Sequence, residues 1–462
     1  MRSTTVCSAL VLASICVVGG ALAAGPDVIV GDMHQTKHHT TGGPVLKDGT
    51  PYRAYSIGTV SCNQGDVPLK WFQESTFHPV IPQNLYRVKD GRIQQIGMSW
   101  LKHGFCALQQ EACGPCNPYG PNCETHLGVG CSDPYSADLN GSQGNLGPRY
   151  EVNASTGVFV FPFAFRNVTG DALYKRLQVK QSDLDPAQNP GAVYIAEAMY
   201  IHPDDATNGN GWNNASHRRV TVQANYSLQL EDTTNRTRPA IFAWRIHGNG
   251  PNQVDAGVTL KSLDVVNDGR YWLAYKVTDL GNGKWHYEYA VETLTSDRSG
   301  GSLSLPVSQG VEVTSPYFYC PSYHSGEPYD DAPWNFAHAG GAVSWTTAES
   351  FNENPNANAL RWNTLYNFAF DADQPPVAGP VTIGLFKPGT PTSIQFSAIV
   401  PATPPGCEGD VDGDGDVDQS DLGVMLDNYG QSVPPGTNGD VNGDGQVDQS
   451  DLGILLSNFG CV

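Results

Sequence analysis

The sequence predicts a mainly β protein. It reads as an antiparallel β-sandwich body, preceded by a cysteine-rich N-terminal module and followed by a small α-helical C-terminal module built on two acidic loops. Three observations lead there. From residue 156 to residue 400 the chain is a succession of short aromatic and β-branched runs, with no sustained helical period. Six cysteines, Cys62, Cys106, Cys113, Cys116, Cys123 and Cys131, fall within residues 24–155. The last 56 residues, from Cys407, hold twelve Asp or Glu and no Lys or Arg.

In chain order, residues 1–23 carry Arg2 as their only basic residue, then an interrupted apolar run, then Ala21-Leu22-Ala23. That pattern predicts a secretory signal cleaved near residue 23, too short for a membrane span. The mature chain is expected to be secreted, extracellular or on a cell surface, with no transmembrane segment. A net charge of -20 leaves no basic face to neutralise a phosphate backbone, which argues against nucleic acid as a partner.

In an exported chain, cysteines read first as disulfides. Cys407 and Cys461 bracket the acidic tail and are predicted to pair with each other. Cys62, Cys106, Cys113, Cys116, Cys123, Cys131 and Cys320 then remain, an odd number whose pairing the sequence leaves open. Two other readings of the N-terminal module compete. His103, Cys106, Cys113, Cys116, Cys123, His126 and Cys131 mix thiolate and imidazole at spacings suited to zinc or copper. Cys113-Gly-Pro-Cys116 has the form of a redox dithiol, without the strand and helix such a pair needs. His34, His38 and His39 form a further copper candidate, or a solvated loop near the processed end.

Strand signals in the body include GVFVFPFAF, RVTVQANYSLQL, PVTIGLFKPG and TSIQFSAIV. In RYWLAYKVTDLGNGKWHYEYAVETL, two alternating aromatic runs meet at Leu280-Gly281-Asn282-Gly283, which predicts a hairpin. Trp71, Trp100, Trp212, Trp244, Trp272, Trp285, Trp334, Trp345 and Trp362 are expected to be mostly core, with a sugar-stacking cleft as the alternative. A glycosidase would need two facing carboxylates. Glu197, Asp204, Asp205, Glu288, Glu327, Asp330 and Asp331 are candidates, and no motif selects a pair. Nucleophile elbow, phosphate loop and HExxH patterns are absent from the sequence. Whether the body is catalytic stays open.

Residues 401–406 form a short stiff linker. Beyond it, residues 409–430 and 439–460 are two 22-residue segments that differ at only six positions. Counted from Asp410, side-chain oxygens fall at loop positions 1, 3, 5, 9 and 12: Asp410, Asp412, Asp414, Asp418 and Asp421. Asp440, Asn442, Asp444, Asp448 and Asp451 repeat the pattern, and Asp416 and Gln446 stand where a backbone carbonyl is needed. Closely spaced hard oxygens around a glycine turn are what calcium requires. Glycines before each loop argue against a preceding helix. After each loop, Leu422, Met425, Leu426 and Tyr429, and Leu452, Leu455, Leu456 and Phe459, lie at helical spacing and predict an amphipathic helix.

This loop-and-helix duplication, over residues 407–462, resembles a type I dockerin. The resemblance implies two calcium ions and a cohesin-like partner domain. It also implies recognition near loop positions 10 and 11, here Gln419-Ser420 with Leu422 and Gln449-Ser450 with Leu452. The functional expectation is therefore a docked, exported protein whose β-rich body binds or is displayed, with polysaccharide as a second candidate partner. The alternatives are a polysaccharide-degrading enzyme carrying the same tail and, more weakly, a copper or zinc oxidoreductase.

Overall fold

Strand-forming sequence from Val28 to Leu230 assembles into one ten-stranded antiparallel sheet in the computed structural model. The structure describes residues 23–121, 123–308, 310–324, 326–402 and 407–461. The predicted signal segment, apart from its last residue, and the linker residues 403–406 lie outside the described residues. The main strands are β1 (Val28–His38), β2 (Thr50–Asn63), β3 (Gln83–Lys89), β4 (Arg92–Met98), β5 (Leu177–Lys180), β6 (Val193–Met199), β7 (Ala215–Val222) and β8 (Leu228–Leu230). Their spatial order is β1-β2-β5-β4-β3-β6-β7-β8, with the short strands Val45–Lys47 and Ser132–Tyr135 also on β2.

This order corrects the expected boundary at residue 155. β5 to β8 follow that point in sequence, yet β5 lies between β2 and β4, and β6 lies against β3. One apolar cluster draws Val30, Tyr55, Ile57 and Leu85 from before the boundary and Leu177, Val179, Ala196 and Ala198 from after it. The cysteine-rich stretch is an excursion from this sheet, stapled by Cys62–Cys113, Cys106–Cys123 and Cys116–Cys131. Cys320 is free, and burial pushes its thiol up to about 11.

The sandwich occupies residues 259–401. One sheet, in the order β9-β10-β11-β16-β13, uses β9 (Thr259–Asp264), β10 (Arg270–Gly281), β11 (Lys284–Thr293), β13 (Val313–Tyr319) and β16 (Thr364–Ala372). The other, β14-β15-β12-β17-β18, uses β12 (Gly300–Pro306), β14 (Asn335–Ala339), β15 (Ala342–Thr346), β17 (Pro376–Leu385) and β18 (Ser393–Pro401). The predicted β10–β11 hairpin is present and turns at Asn282 and Gly283, both with positive φ (56° and 75°). Strand alternation sends Tyr271, Leu273, Tyr287, Tyr289 and Val291 into the sandwich core. Ala274 and Ala290 point the other way, against Tyr86, Ile93 and Ile195 of the first sheet. GVFVFPFAF does not form the long strand expected. Pairing stops at Phe159, because Pro162 has no N–H and Phe165 and Asn167 take left-handed backbone conformations (φ 58° and 63°).

A buried polar network lies where the first sheet meets the sandwich. Glu197 Oε1 accepts from Asn84 Nδ2 (3.0 Å), Tyr86 OH (3.0 Å) and Asn363 Nδ2 (2.9 Å), while its Oε2 accepts from the Ala240 amide (2.6 Å). The Arg149 guanidinium donates to Asn84 Oδ1 at 2.8 Å and to Ser99 O at 2.7 Å. Glu292 is also fully buried, and apart from the Ile241 backbone amide no donor serves its carboxyl. Burial first, and then the nearby Glu197 charge, hold the Glu292 carboxyl well above the usual carboxylate range. Since the donors converge on Glu197, Glu292 is the member of the pair that keeps its proton.

The sign of the resulting pH dependence follows from linkage. The unfolded Glu292 loses its proton near 4.5 and the folded one keeps it, so stability is full below that pH and falls as pH rises. Glu292→Gln is expected to remove this loss, changing stability little at pH 4.5 and raising it by about 1–3 kcal/mol at pH 8. Denaturant melts of the two proteins at both pH values check it, and a constant difference across pH would contradict the assignment.

Candidate metal centres and docking face

Each tail loop is followed by one helix: α1 (Gln419–Asp427) after the first and α2 (Gln449–Ser457) after the second. Both open with a capping box. Asp418 accepts from the Ser420 amide and Asp421 reaches back to the Asp418 amide at 2.9 Å, and Asp448 and Asp451 repeat the arrangement. The loops close on their own amides. Asp410 Oδ1 and Oδ2 accept from Gly413 N (2.7 Å) and Gly415 N (3.0 Å), and Asp421 Oδ1 from Val411 N (2.7 Å) and Asp412 N (3.1 Å). Asp440 and Asp451 do the same in the second loop, with Gly443, Gly445, Val441 and Asn442. Gly415 and Gly445 have φ of 103° and 87°, which suits glycine at the tight turn.

Asp410, Asp412, Asp414 and Asp421 offer carboxylate oxygens that all lie within 4.8 Å of one another, and Asp416, Asp418 and Asp421 form an overlapping group. Burial, then the like charges of Asp414 and Asp418, raise the Asp416 carboxyl, and its Oδ1 is buried without a partner. Burial also acts to raise Asp421, but the amides of Asp418, Asp412 and Val411 outweigh it and hold the group below its usual value, in the charged form. The donor set is entirely hard oxygen and the crowding is unfavourable without a cation, so these residues fit calcium. In the second loop Asn442 replaces Asp412 as a neutral oxygen donor at position 3.

The two repeats interlock. Val417 and Val447, both 0% exposed, form a small core with Met425, Leu455 and Cys407. Val417 N donates to Cys461 O at 2.9 Å and Gly460 N to Val417 O at 2.8 Å; in the other repeat, Val447 N donates to Gln431 O and Gly430 N to Val447 O. A Cβ on Gly409 would lie 2.8 Å from Leu455 Cα, and one on Gly439 would lie 2.9 Å from Met425 Cα. Each loop therefore sits directly on the other repeat's helix.

The predicted apolar stripes divide. Met425 and Leu455 are buried, and Leu422 and Leu452 are half-buried against the core, so both leucines serve the fold as well as the face. Leu426 and Leu456 are each 53% exposed, beside the exposed Tyr429 and Phe459. Gln419, Ser420, Gln449 and Ser450 are exposed at the start of the same helices. Helical periodicity placed all eight apolar residues on one stripe; a core this small has room for only half of them.

Outside the tail, the disulfide reading of the cysteine module holds, and the zinc or copper and redox alternatives do not. The disulfides consume its six thiols, and Cys113 and Cys116 bond elsewhere rather than to each other. His38 and His39 turn to different partners, Thr40 and Ser56. Among the described residues, groups of three or more metal-binding side chains gather only in the tail. The body carboxylates are mostly engaged internally. Asp205 is buried, accepting from Val28 N and Asn214 Nδ2, and burial pushes it up to about 8. Asp204 pairs with Lys70, Glu288 with Arg92 and His286, and Asp330 caps Ala332 and Asn358. Glu327 accepts the Arg149 and Tyr150 amides, and burial pushes it up to about 7. Asp331 is exposed.

Compared with known families, residues 408–459 match the model of the Dockerin type I domain. The tail is a type I dockerin. No curated protein matches the chain. Dockerin domains bind calcium, and this dockerin's acidic loops are a set that could hold such ions. No helix among the described residues is long and apolar enough to cross a membrane.

Cys407 and Cys461 are bonded to one another across the dockerin, closing a loop of 54 residues in sequence separation. Replacing both with Ser is expected to destabilise the dockerin by about 4 kcal/mol in the chain-entropy account. Hydrogen exchange read by mass spectrometry should then show the amides of Val417 and Val447 exchanging about a thousandfold faster. Unchanged protection would mean that the bond clasps nothing.

Proposed function

We propose that this is an exported protein whose dockerin binds two calcium ions and a cohesin-like domain of an extracellular or cell-surface assembly, and so holds out the β-rich body as a binding or displayed unit. The observation that carries the reading is the doubling of an exposed set. Gln419, Ser420, Leu426 and Tyr429 on one helix correspond to Gln449, Ser450, Leu456 and Phe459 on the other. Apolar side chains left exposed at equivalent positions of interlocked repeats suit a partner that meets nearly the same surface twice. The disulfides are compatible with an oxidising, extracellular setting.

In this reading Asp410, Asp412, Asp414, Asp418 and Asp421, with the carbonyl of Asp416, hold one ion. Asp440, Asn442, Asp444, Asp448 and Asp451, with the carbonyl of Gln446, hold the other. Bound calcium supplies the positive charge that lets the carboxylates stay together. The loops then fix the starts of α1 and α2 and with them the exposed set. Chelation should release that arrangement: adding EDTA to the whole protein is expected to open residues 407–461 to protease while the disulfide-stapled body stays intact. Equal resistance with and without EDTA would contradict calcium-dependent folding.

Docking itself is tested on the two faces. Because Leu422 and Leu452 pack on the core, the informative changes are Ser420→Arg with Leu426→Arg, and Ser450→Arg with Leu456→Arg. Either pair alone should weaken binding by only RT ln 2, about 0.4 kcal/mol, since one of two equivalent modes is lost. Both pairs together should abolish it. Calorimetry against cohesin-like domains exported by the same cell, with calcium present, decides; one face carrying all the affinity would remove the two-fold argument.

A further inference from the structure

Among the described residues, Trp212 alone of the tryptophans is exposed, at 48%. It forms part of a solvent-open depression of about 140 Å³, lined also by Ser155, Asp264, Arg270 and Thr295, where the first sheet's loops meet the β9–β10 turn. The exposure is not slackness. Three buried asparagines pin the turn that carries Trp212: Asn210 Nδ2 donates to Ala24 O and Pro26 O, Asn213 Nδ2 to Asp27, and Asn214 Nδ2 to Asp205 (2.7 Å) and Tyr200 O (2.9 Å). The opposite wall is equally fixed. Asp268 accepts from the amides of Asp297 and Arg298 and from the Ser296 hydroxyl, and a Cβ on Gly269 would lie 2.3 Å from Ser296 N.

At one side of this depression the Arg270 guanidinium lies over part of the Trp212 ring, 5.4 Å from its centroid. Arg270 Nε and Nη2 grip Asp264 Oδ1 and Oδ2 at 2.6 and 2.8 Å, which leaves Asp264 exposed and Arg270 partly buried, both oriented and mutually neutralised. A rigid apolar ring face beside a carboxylate acceptor and a guanidinium donor of cancelling charge does not suit an ion. It suits a flat, uncharged molecule with one apolar face and a rim of hydroxyls. We propose that this depression is a saccharide subsite, which takes one neutral pyranose ring against the part of Trp212 that Arg270 leaves open, with its hydroxyls bonded by Asp264 and Arg270. The open mouth leaves the ligand reachable from solvent. Fixed walls spare the ligand the ordering cost that a mobile site would impose. No part of this site lies in the dockerin, so it stands or falls apart from the docking reading.

The test uses the whole protein in native gels containing hydroxyethylcellulose, xylan, laminarin or galactomannan, with polygalacturonate as a charged control. Retardation by at least one neutral polymer is expected. Trp212→Ala should abolish it, Asp264→Asn should weaken it at least tenfold, and Trp212→Phe, which keeps an apolar ring, should retain part of it. The variant charged on both dockerin faces should be retarded like the wild type. Thermal melts check folding, and should Trp212→Ala unfold, the Asp264→Asn and Trp212→Phe results decide. Absence of retardation by all four neutral polymers, retardation by polygalacturonate alone, or full binding by the Trp212 variants would overturn the proposal.

Discussion

The base of the β10–β11 hairpin, residues 271–275 and 287–293, has little surface left for water, and the architecture of the body depends on that fact. Its tyrosines and branched residues fill the sandwich on one side, while its alanines let the first sheet approach closely on the other. The face toward the first sheet mixes the small Ala274 and Ala290 with Glu288 and Glu292, so the close approach also buries carboxylates. Where the approach is closest, polar side chains must find partners among themselves. Asn84, Tyr86, Arg149, Glu197 and Asn363 do so, drawing on strands and turns from both halves of the body.

Body and dockerin handle their acidic groups in opposite ways. In the body, Glu197, Asp205 and Glu292 are desolvated and shifted toward the protonated form, which suits groups that hold elements together. The dockerin packs its carboxylates into loops whose amides point inward and favour charge at the closing residue, Asp421. The first arrangement tolerates loss of a charge. The second favours charge at Asp421 while crowding raises Asp416, a set of oxygens that could hold a cation.

Much of the dockerin was legible because its rules are local. Acidic residues at fixed spacing, a turn glycine and a helix after each loop need no long-range information. The hairpin at Asn282-Gly283 was legible for the same reason. What could not be read depended on contacts between distant segments. The boundary at residue 155 failed because β5 inserts between β2 and β4, and nothing in the local composition of Leu177–Lys180 says so. The cysteine partners follow from that topology as well. The exposure of Leu426 and Leu456 escaped the periodicity argument because period tells which residues share a stripe, not how wide a neighbour is available to cover it. Trp212 looked like eight other tryptophans until the pinned turn around it was seen.

The reciprocal seating of Gly409 on Leu455 and of Gly439 on Met425 has a consequence for how the duplication can vary. Each repeat supplies the floor on which the other's loop is laid, so a single copy is an unfinished object, not a smaller version of the pair. Side chains facing solvent on one copy are free to drift, and a partner surface can diverge from its twin. The glycines cannot change freely, because a methyl group at either one meets the backbone of the opposite helix. Such a module would enter and leave a lineage whole.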